Sequence, residues 1–231
     1  MKLEKCIHYI ACDSKKYCIE AEISALNFRK NCTDTYFILY TDINFSSSVF
    51  NEIVKIPNLI PNGHTAPGWS EGRFYFESKI KILSNTRFEK NLYLDGDVKT
   101  LVDIDPIFSM LDKFSIIIAH DSCRTTKWSD VFRIPICFPD LNCGFFFYRK
   151  SHTNDFFKSW LKNFSIQPQP HDQPSFRKTL WDCDLRFYIL TPEFNWRPSK
   201  FHFRQDLAVI HGRGKGFLPL IDELITKPTF L

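Results

Sequence analysis

Glycine is scarce, 8 of 231 residues, and none of it falls at the spacings of a phosphate-binding loop. A glycine-rich turn is therefore excluded as the main way of holding a phosphate. Long apolar runs are also missing. No segment approaches the roughly 18 consecutive apolar residues that a membrane span requires, and Met1–His8 lacks the apolar stretch of a secretory leader. The expectation is a cytoplasmic protein without a transmembrane segment. The 8 cysteines include no Cys-x-x-Cys pair, which argues for free buried thiols rather than a disulfide framework or a thiolate metal site. The net charge of +4 is spread along the chain without a basic run, so no nucleic-acid groove is called for.

What is present is core material. Apolar residues make up 44% of the chain, including 24 Phe, against 24% charged residues, the balance of a globular protein. Cys6 to Cys12 is a short apolar run ending in Asp13-Ser14. Lys15 to Lys30 then shows helical spacing through Tyr17, Ile19, Ile23, Leu26 and Phe28, which predicts that these side chains form the buried face. Thr35 to Tyr40 and Glu52 to Ile56 read as strands. Pro57 to Glu71 reads as a surface loop, and a helix with Phe74, Phe76, Ile80 and Leu83 inward should leave Arg73, Lys79 and Lys81 available. Later segments alternate in the same way: a helix over Ile104 to Leu111, strands over Ser115 to Ala119 and Leu141 to Tyr148, helices over Ser151 to Asn163 and Gln173 to Leu180, and strands over Arg186 to Leu190 and Leu207 to Ile210. This alternation predicts one α/β domain over residues 1–231.

The most informative stretch is Asn91-Leu-Tyr-Leu-Asp-Gly-Asp-Val98, which delivers Asp95 and Asp97 at a strand's carboxyl end. Two carboxylates brought together repel one another and lose hydration unless a cation or a shared proton offsets the cost. Hard oxygen ligands on a short turn suit Mg²⁺ or Mn²⁺, ions that keep positions open for water and phosphate oxygens. The carboxyl end of a strand is also where open α/β sheets bind ligands.

Taken together, several segments resemble the nucleotide-sugar glycosyltransferases of the GT-A fold. They are the N-terminal strand and helix, the basic helix before Tyr93-Leu-Asp-Gly-Asp97, the Leu141-Asn-Cys-Gly-Phe145 strand, the Asp172-Gln173 pair and His211 with its basic neighbours. The resemblance implies a single Rossmann-like GT-A domain with a mixed, mainly parallel central sheet flanked by helices, a nucleotide-binding half over about 1–110 and an acceptor and sugar half over about 111–231. It implies transfer of a sugar from a nucleoside diphosphate donor, a UDP-sugar, to a hydroxyl of a glycan or glycoconjugate.

The same resemblance assigns roles. Asp95, Asp97 and His211 would hold Mn²⁺ or Mg²⁺. Ala11, Cys12 and Asp13 would seat the nucleotide. Arg73, Lys79 and Lys215 would face the phosphates or donor sugar. Asn142, Asp172, Gln173 and Asp121 would line the sugar site. If the anomeric configuration inverts, Asp172 or Asp121 would act as general base; the His211 position leans towards retention.

Two other readings were open to the sequence. An apolar strand leading into Asp-x-Asp also begins phosphatases with an aspartyl nucleophile, although Lys99 stands here where those carry Thr or Val. A carbohydrate-binding protein without catalysis could use Trp69, Trp128 and Trp196 to stack on sugar rings.

Overall fold

The computed structural model describes residues 4–32, 34–57, 70–121, 132–135, 137–166, 171–197 and 209–212, with the side chains of 70–74 left out of the description. In chain order the elements are β1 (Lys5–Ile10), α1 (Lys15–Lys30), β2 (Thr35–Thr41), β3 (Glu52–Lys55), α2 (Ser70–Ser84), β4 (Lys90–Leu94), β5 (Val98–Thr100), α3 (Asp105–Met110), β6 (Ile116–His120) and β7 (Leu141–Arg149). α4 (Lys150–Ile166), α5 (Gln173–Asp182), β8 (Phe187–Leu190), a 3₁₀ turn (Pro192–Asn195) and β9 (Val209–His211) complete the fold. The α/β alternation expected from the sequence is present.

Seven strands form one sheet in the order β3-β2-β1-β4-β7-β6-β8. All run parallel except β7, which is antiparallel to both β4 and β6. From β1 the chain crosses outwards to β2 and β3 and then returns to place β4 on the other side. The β1/β4 boundary is therefore a topological switch point, the place beyond whose strand carboxyl ends open α/β sheets bind their ligands. Because β7 is reversed, its first residues lie at that same end of the sheet, where Leu94 is in register with Phe145.

Successive strand residues point to opposite faces of the sheet, and each face has its own core. On one side Ile7, Leu39, Leu92, Phe145 and Phe147 pack under α1 and α3. On the other, Tyr93, Ile118, Phe146 and Tyr148 pack under α2, α4 and α5 through Leu83, Phe157, Trp160 and Phe176. Trp160 and Phe176 meet edge to face with centroids 4.7 Å apart, a favoured aromatic geometry. Both faces of β7 are covered, which explains the consecutive aromatic residues Phe145 to Tyr148.

The first helix departs from expectation. α1 buries Cys18, Ala21, Ser24, Ala25 and Phe28, while Ile19, Ile23 and Leu26 are turned outwards. The small face lets the helix sit close to the sheet. A Cβ placed on Gly96 would come within 3.2 Å of the Ala21 backbone nitrogen. The polar inward residues have a specific task. Ser24 Oγ donates to the Val98 carbonyl at 2.5 Å, the Asn27 side-chain amide donates to the Thr100 carbonyl at 3.1 Å, and the Thr100 N–H donates to Asn27 Oδ1 at 2.7 Å. The short strand β5 lies outside the main sheet, and these bonds satisfy one of its edges.

Among the described residues, every cysteine is free and most are buried; Cys123 lies outside them. No helix among the described residues is long and apolar enough to cross a membrane.

Candidate metal and nucleotide site

β5 matters because its other edge pairs antiparallel with β9, setting Val98 opposite His211. On its far side β9 is held by Trp196. The Trp196 N–H donates to the Val209 carbonyl at 3.1 Å, the His211 N–H donates to the Trp196 carbonyl at 3.0 Å, and the Gly212 N–H donates to the Asp97 carbonyl at 3.2 Å. His211 is thereby fixed beside a turn more than a hundred residues earlier in the chain.

Among the described residues, Asp95, Asp97 and His211 are the only group of three or more acidic, histidine or cysteine side chains that converges. One potential ligand atom from each lies within 4.8 Å of the others. His211 Nε2 is 3.3 Å from Asp97 Oδ1 and 3.6 Å from Asp95 Oδ2. His211 is buried, whereas Asp95 and Asp97 are half-buried at the rim.

The surrounding residues determine what these atoms can do. Tyr93 donates its hydroxyl proton to Asp95 Oδ1 at 2.8 Å, which leaves Oδ2 turned towards the cluster. Buried Asn195 donates from Nδ2 to the His120 carbonyl at 2.8 Å, so its Oδ1 is the atom 3.0 Å from His211 Nδ1. That nitrogen therefore carries a proton, and Nε2 is the ring atom that faces the two carboxylate oxygens. Such a grouping of acceptors is repulsive until a cation or a proton enters it. Two carboxylates and a neutral imidazole are a donor set that Mn²⁺ accepts readily, whereas Mg²⁺ prefers oxygen alone.

Asn195 was missed by sequence reasoning, because a single Asn after Pro and Phe carries no signal of a histidine partner far along the chain. If the cluster holds Mn²⁺, replacing Asn195 by Ala should weaken that binding by about 10- to 100-fold, as loss of such an orienting partner generally does. Titration of free Mn²⁺ by electron paramagnetic resonance would measure this directly.

The other expected site residues fall into three groups. Asn142, Gln173 and Asp121 are brought together. The Gly144 N–H donates to Asn142 Oδ1 at 2.9 Å, Asn142 Nδ2 lies 3.5 Å from Gln173 Oε1, Gln173 Nε2 donates to Asp121 Oδ2 at 2.8 Å, and Arg197 approaches Asp121 at 3.7 Å. Ala11, Cys12 and Asp13 lie just past β1, at the switch-point crevice. Asp13 has a left-handed backbone with φ of 70°, its N–H donates to Asp42 Oδ1 at 2.9 Å, and Ser14 caps α1. Cys12 is no reactive thiol, because burial pushes its pKa up to about 12.

Lys79 was expected on an available helix face and directed at phosphate, and Asp172 at a substrate hydroxyl. The face is not an available one: the two side chains meet inside the protein at 2.7 Å and are only 2% and 5% exposed. Lys79 Nζ also donates to the Cys143 carbonyl at 2.7 Å and lies 4.1 Å from the centre of the Tyr93 ring. Burial pulls its pKa down, but Asp172 and Asp95 more than offset this and leave it above the ordinary lysine value. Burial likewise pushes the Asp172 carboxyl up, with Lys79 opposing. The pair braces the strands that carry Tyr93 and Cys143. Trp196 is also corrected: at 3% exposure it is part of the core and cannot stack on a sugar from solution. The Arg73 side chain, Lys215, Trp69 and Trp128 lie outside the described residues.

A sheet of this order, with a carboxylate–carboxylate–imidazole cluster at its switch point, defines the GT-A class of nucleotide-sugar-binding proteins. The sequence profile of the nucleotide-diphospho-sugar transferases matches residues 90–206, half of the chain. The chain belongs to that family. No curated protein sequence matches it. Among solved structures it is similar to the galactosyltransferase LgtC in complex with donor and acceptor sugar analogues, at 16% identity with a TM-score of 0.64, covering 98% of this chain and 97% of that one. A structure of an active-site mutant of LgtC gives the same identity and TM-score over 96% and 97% of the two chains. At that identity the likeness establishes the GT-A fold.

Proposed function

We propose that the chain transfers a sugar from a UDP-sugar to a hydroxyl of a glycan or glycoconjugate, using Mn²⁺ held by Asp95, Asp97 and His211. The observation that carries this reading is the convergence of Asp95, Asp97 and His211 at the switch point, with His211 held by Asn195 so that Nε2 faces the two carboxylates. A bound divalent ion would offset the negative charge that develops on the leaving diphosphate. In this reading residues 1–110 hold the donor and 111–231 shape the sugar and acceptor side. Ala11 to Asp13 border the nucleotide, Asn142 and Gln173 present amides to sugar hydroxyls, and Lys215 with Arg73 supplies further positive charge to the phosphates.

Retention of configuration is the stereochemistry this arrangement favours. Inversion requires a carboxylate within reach of the acceptor hydroxyl. Asp172 is committed to Lys79, and Asp121 is engaged by Gln173 and Arg197.

Substituting Asp97 by Ala is the direct test. It should lower Mn²⁺-dependent hydrolysis or transfer of a UDP-sugar by more than about a hundredfold, the scale on which a lost electrostatic stabiliser acts, and it should abolish the Mn²⁺ resonance change on binding. Unchanged turnover in this variant, or turnover in the wild type that survives chelation, would overturn the metal assignment. Release of inorganic phosphate from simple phosphoesters, without use of sugar nucleotides, would overturn the transferase assignment.

A further inference from the structure

The outward face of α1 is apolar at its centre and basic at both ends. Ile19, Ile23 and Leu26 are 42%, 47% and 48% exposed, and their spacing places them side by side on one helical face. Lys15, Lys16 and Lys30, all exposed, continue the same strip; at 3.6 residues per turn the six side chains fall within an arc of about 100°. Glu20 and Glu22 border the strip, and Glu20 lies 4.0 Å from Lys16. The core-facing side of the helix is fully used by Cys18, Ala21, Ser24, Ala25 and Phe28, so packing within the fold does not require these three aliphatic side chains. A contiguous apolar strip left in water marks a surface that meets something else.

Charge selects among the possible occupants. A second copy of α1 is a poor one. Paired in parallel across a two-fold axis, Lys15 and Lys16 would meet their own counterparts; paired antiparallel, they would meet Lys30. Either arrangement sets like charges against each other around the apolar centre. A bilayer containing anionic lipid offers both complements at once, headgroup charge for the ammonium groups and the acyl boundary for the aliphatic side chains, which an interfacial helix buries by about 5–10 Å. Lysine stems can lie along such a surface while their ammonium groups reach the headgroups.

We propose that α1 is a membrane-docking face that rests reversibly on anionic lipid. The docking does not depend on the catalytic reading. The test is co-sedimentation of the full chain with phosphatidylcholine vesicles made with and without phosphatidylglycerol. The bound fraction should be at least severalfold higher with the anionic lipid and should fall with added salt. An Ile23→Glu/Leu26→Glu variant and a Lys15→Glu/Lys16→Glu/Lys30→Glu variant should each reduce the bound fraction about tenfold, with thermal melting and sugar-nucleotide hydrolysis unchanged. Lack of wild-type binding overturns the proposal, as does binding that survives the Ile23→Glu/Leu26→Glu change, because attraction would then rest on charge alone or on another surface. A concentration-dependent dimer in light scattering that Ile23→Glu dissolves would assign the strip to a second copy and overturn it equally.

Discussion

Gly144→Ala should abolish tight Mn²⁺ binding while leaving a folded protein. A Cβ at position 144 would stand 2.3 Å from Asp95 Oδ2, 2.8 Å from Asp95 Cγ and 2.6 Å from His211 Cε1, all well inside van der Waals contact. The backbone cannot easily give way. The Asp95 N–H donates to the Gly144 carbonyl at 2.8 Å, and β7 is an inner strand paired on both sides. His211 cannot give way either, because β5, Trp196 and Asn195 hold it. What moves is the end of the short Asp95 side chain, which then leaves the cluster or breaks its bond to Tyr93. The expected cost to folding is that of modest overpacking, about 1–3 kcal/mol. The expected cost to metal affinity is at least about a hundredfold, equivalent to roughly 2.7 kcal/mol. Mn²⁺ titration by electron paramagnetic resonance, beside a urea melt, separates the two. Wild-type affinity in this variant would show that Asp95 is not a ligand.

The second large effect is on stability. Lys79→Met removes the buried ammonium but keeps most of the stem, leaving the Asp172 carboxylate enclosed without its partner. Breaking a buried pair from one side costs about 3–5 kcal/mol, and the bond to the Cys143 carbonyl is lost with it. The urea midpoint should fall accordingly. Adding Asp172→Asn, which removes the stranded charge, should recover part of the loss. If Lys79 instead acted mainly on phosphate, Lys79→Met would depress turnover while the urea midpoint stayed where it is.

Both expectations concern residues whose surroundings the sequence reveals only in part. Most strands and helices were legible to within about three residues because their apolar periods are strong, and the β7 segment could be read from its Phe-rich run. Asp95 and Asp97 stood out because two acids one residue apart after an apolar strand are electrostatically conspicuous, and His211 because it ends such a strand. The inward face of α1 was misread for a physical reason. Burial normally follows large aliphatic side chains, but here close approach to Gly96 and the exposed edge of β5 demanded Ala, Ser and Asn. β5 itself is too short to show a period. Lys79 was read as surface because its partner lies far along the chain, and nothing local distinguishes an inward lysine from an outward one. Asn195 is the same problem in an uncharged residue.

The small β5–β9 ribbon has a consequence for how the protein is put together. In the proposed reading Asp95 and Asp97 lie beside β4, and the third ligand is brought to them by the long-range pairing of Val209–His211 with Val98–Thr100. An ion that prefers three ligands to two therefore favours the closed arrangement over the open one, and by reciprocity every bond that steadies the ribbon tightens the ion. In that reading Ser24 and Asn27, on a helix that contributes no ligand, would take part in setting metal affinity, and the site would be coupled to the β5–β9 ribbon as one thermodynamic unit.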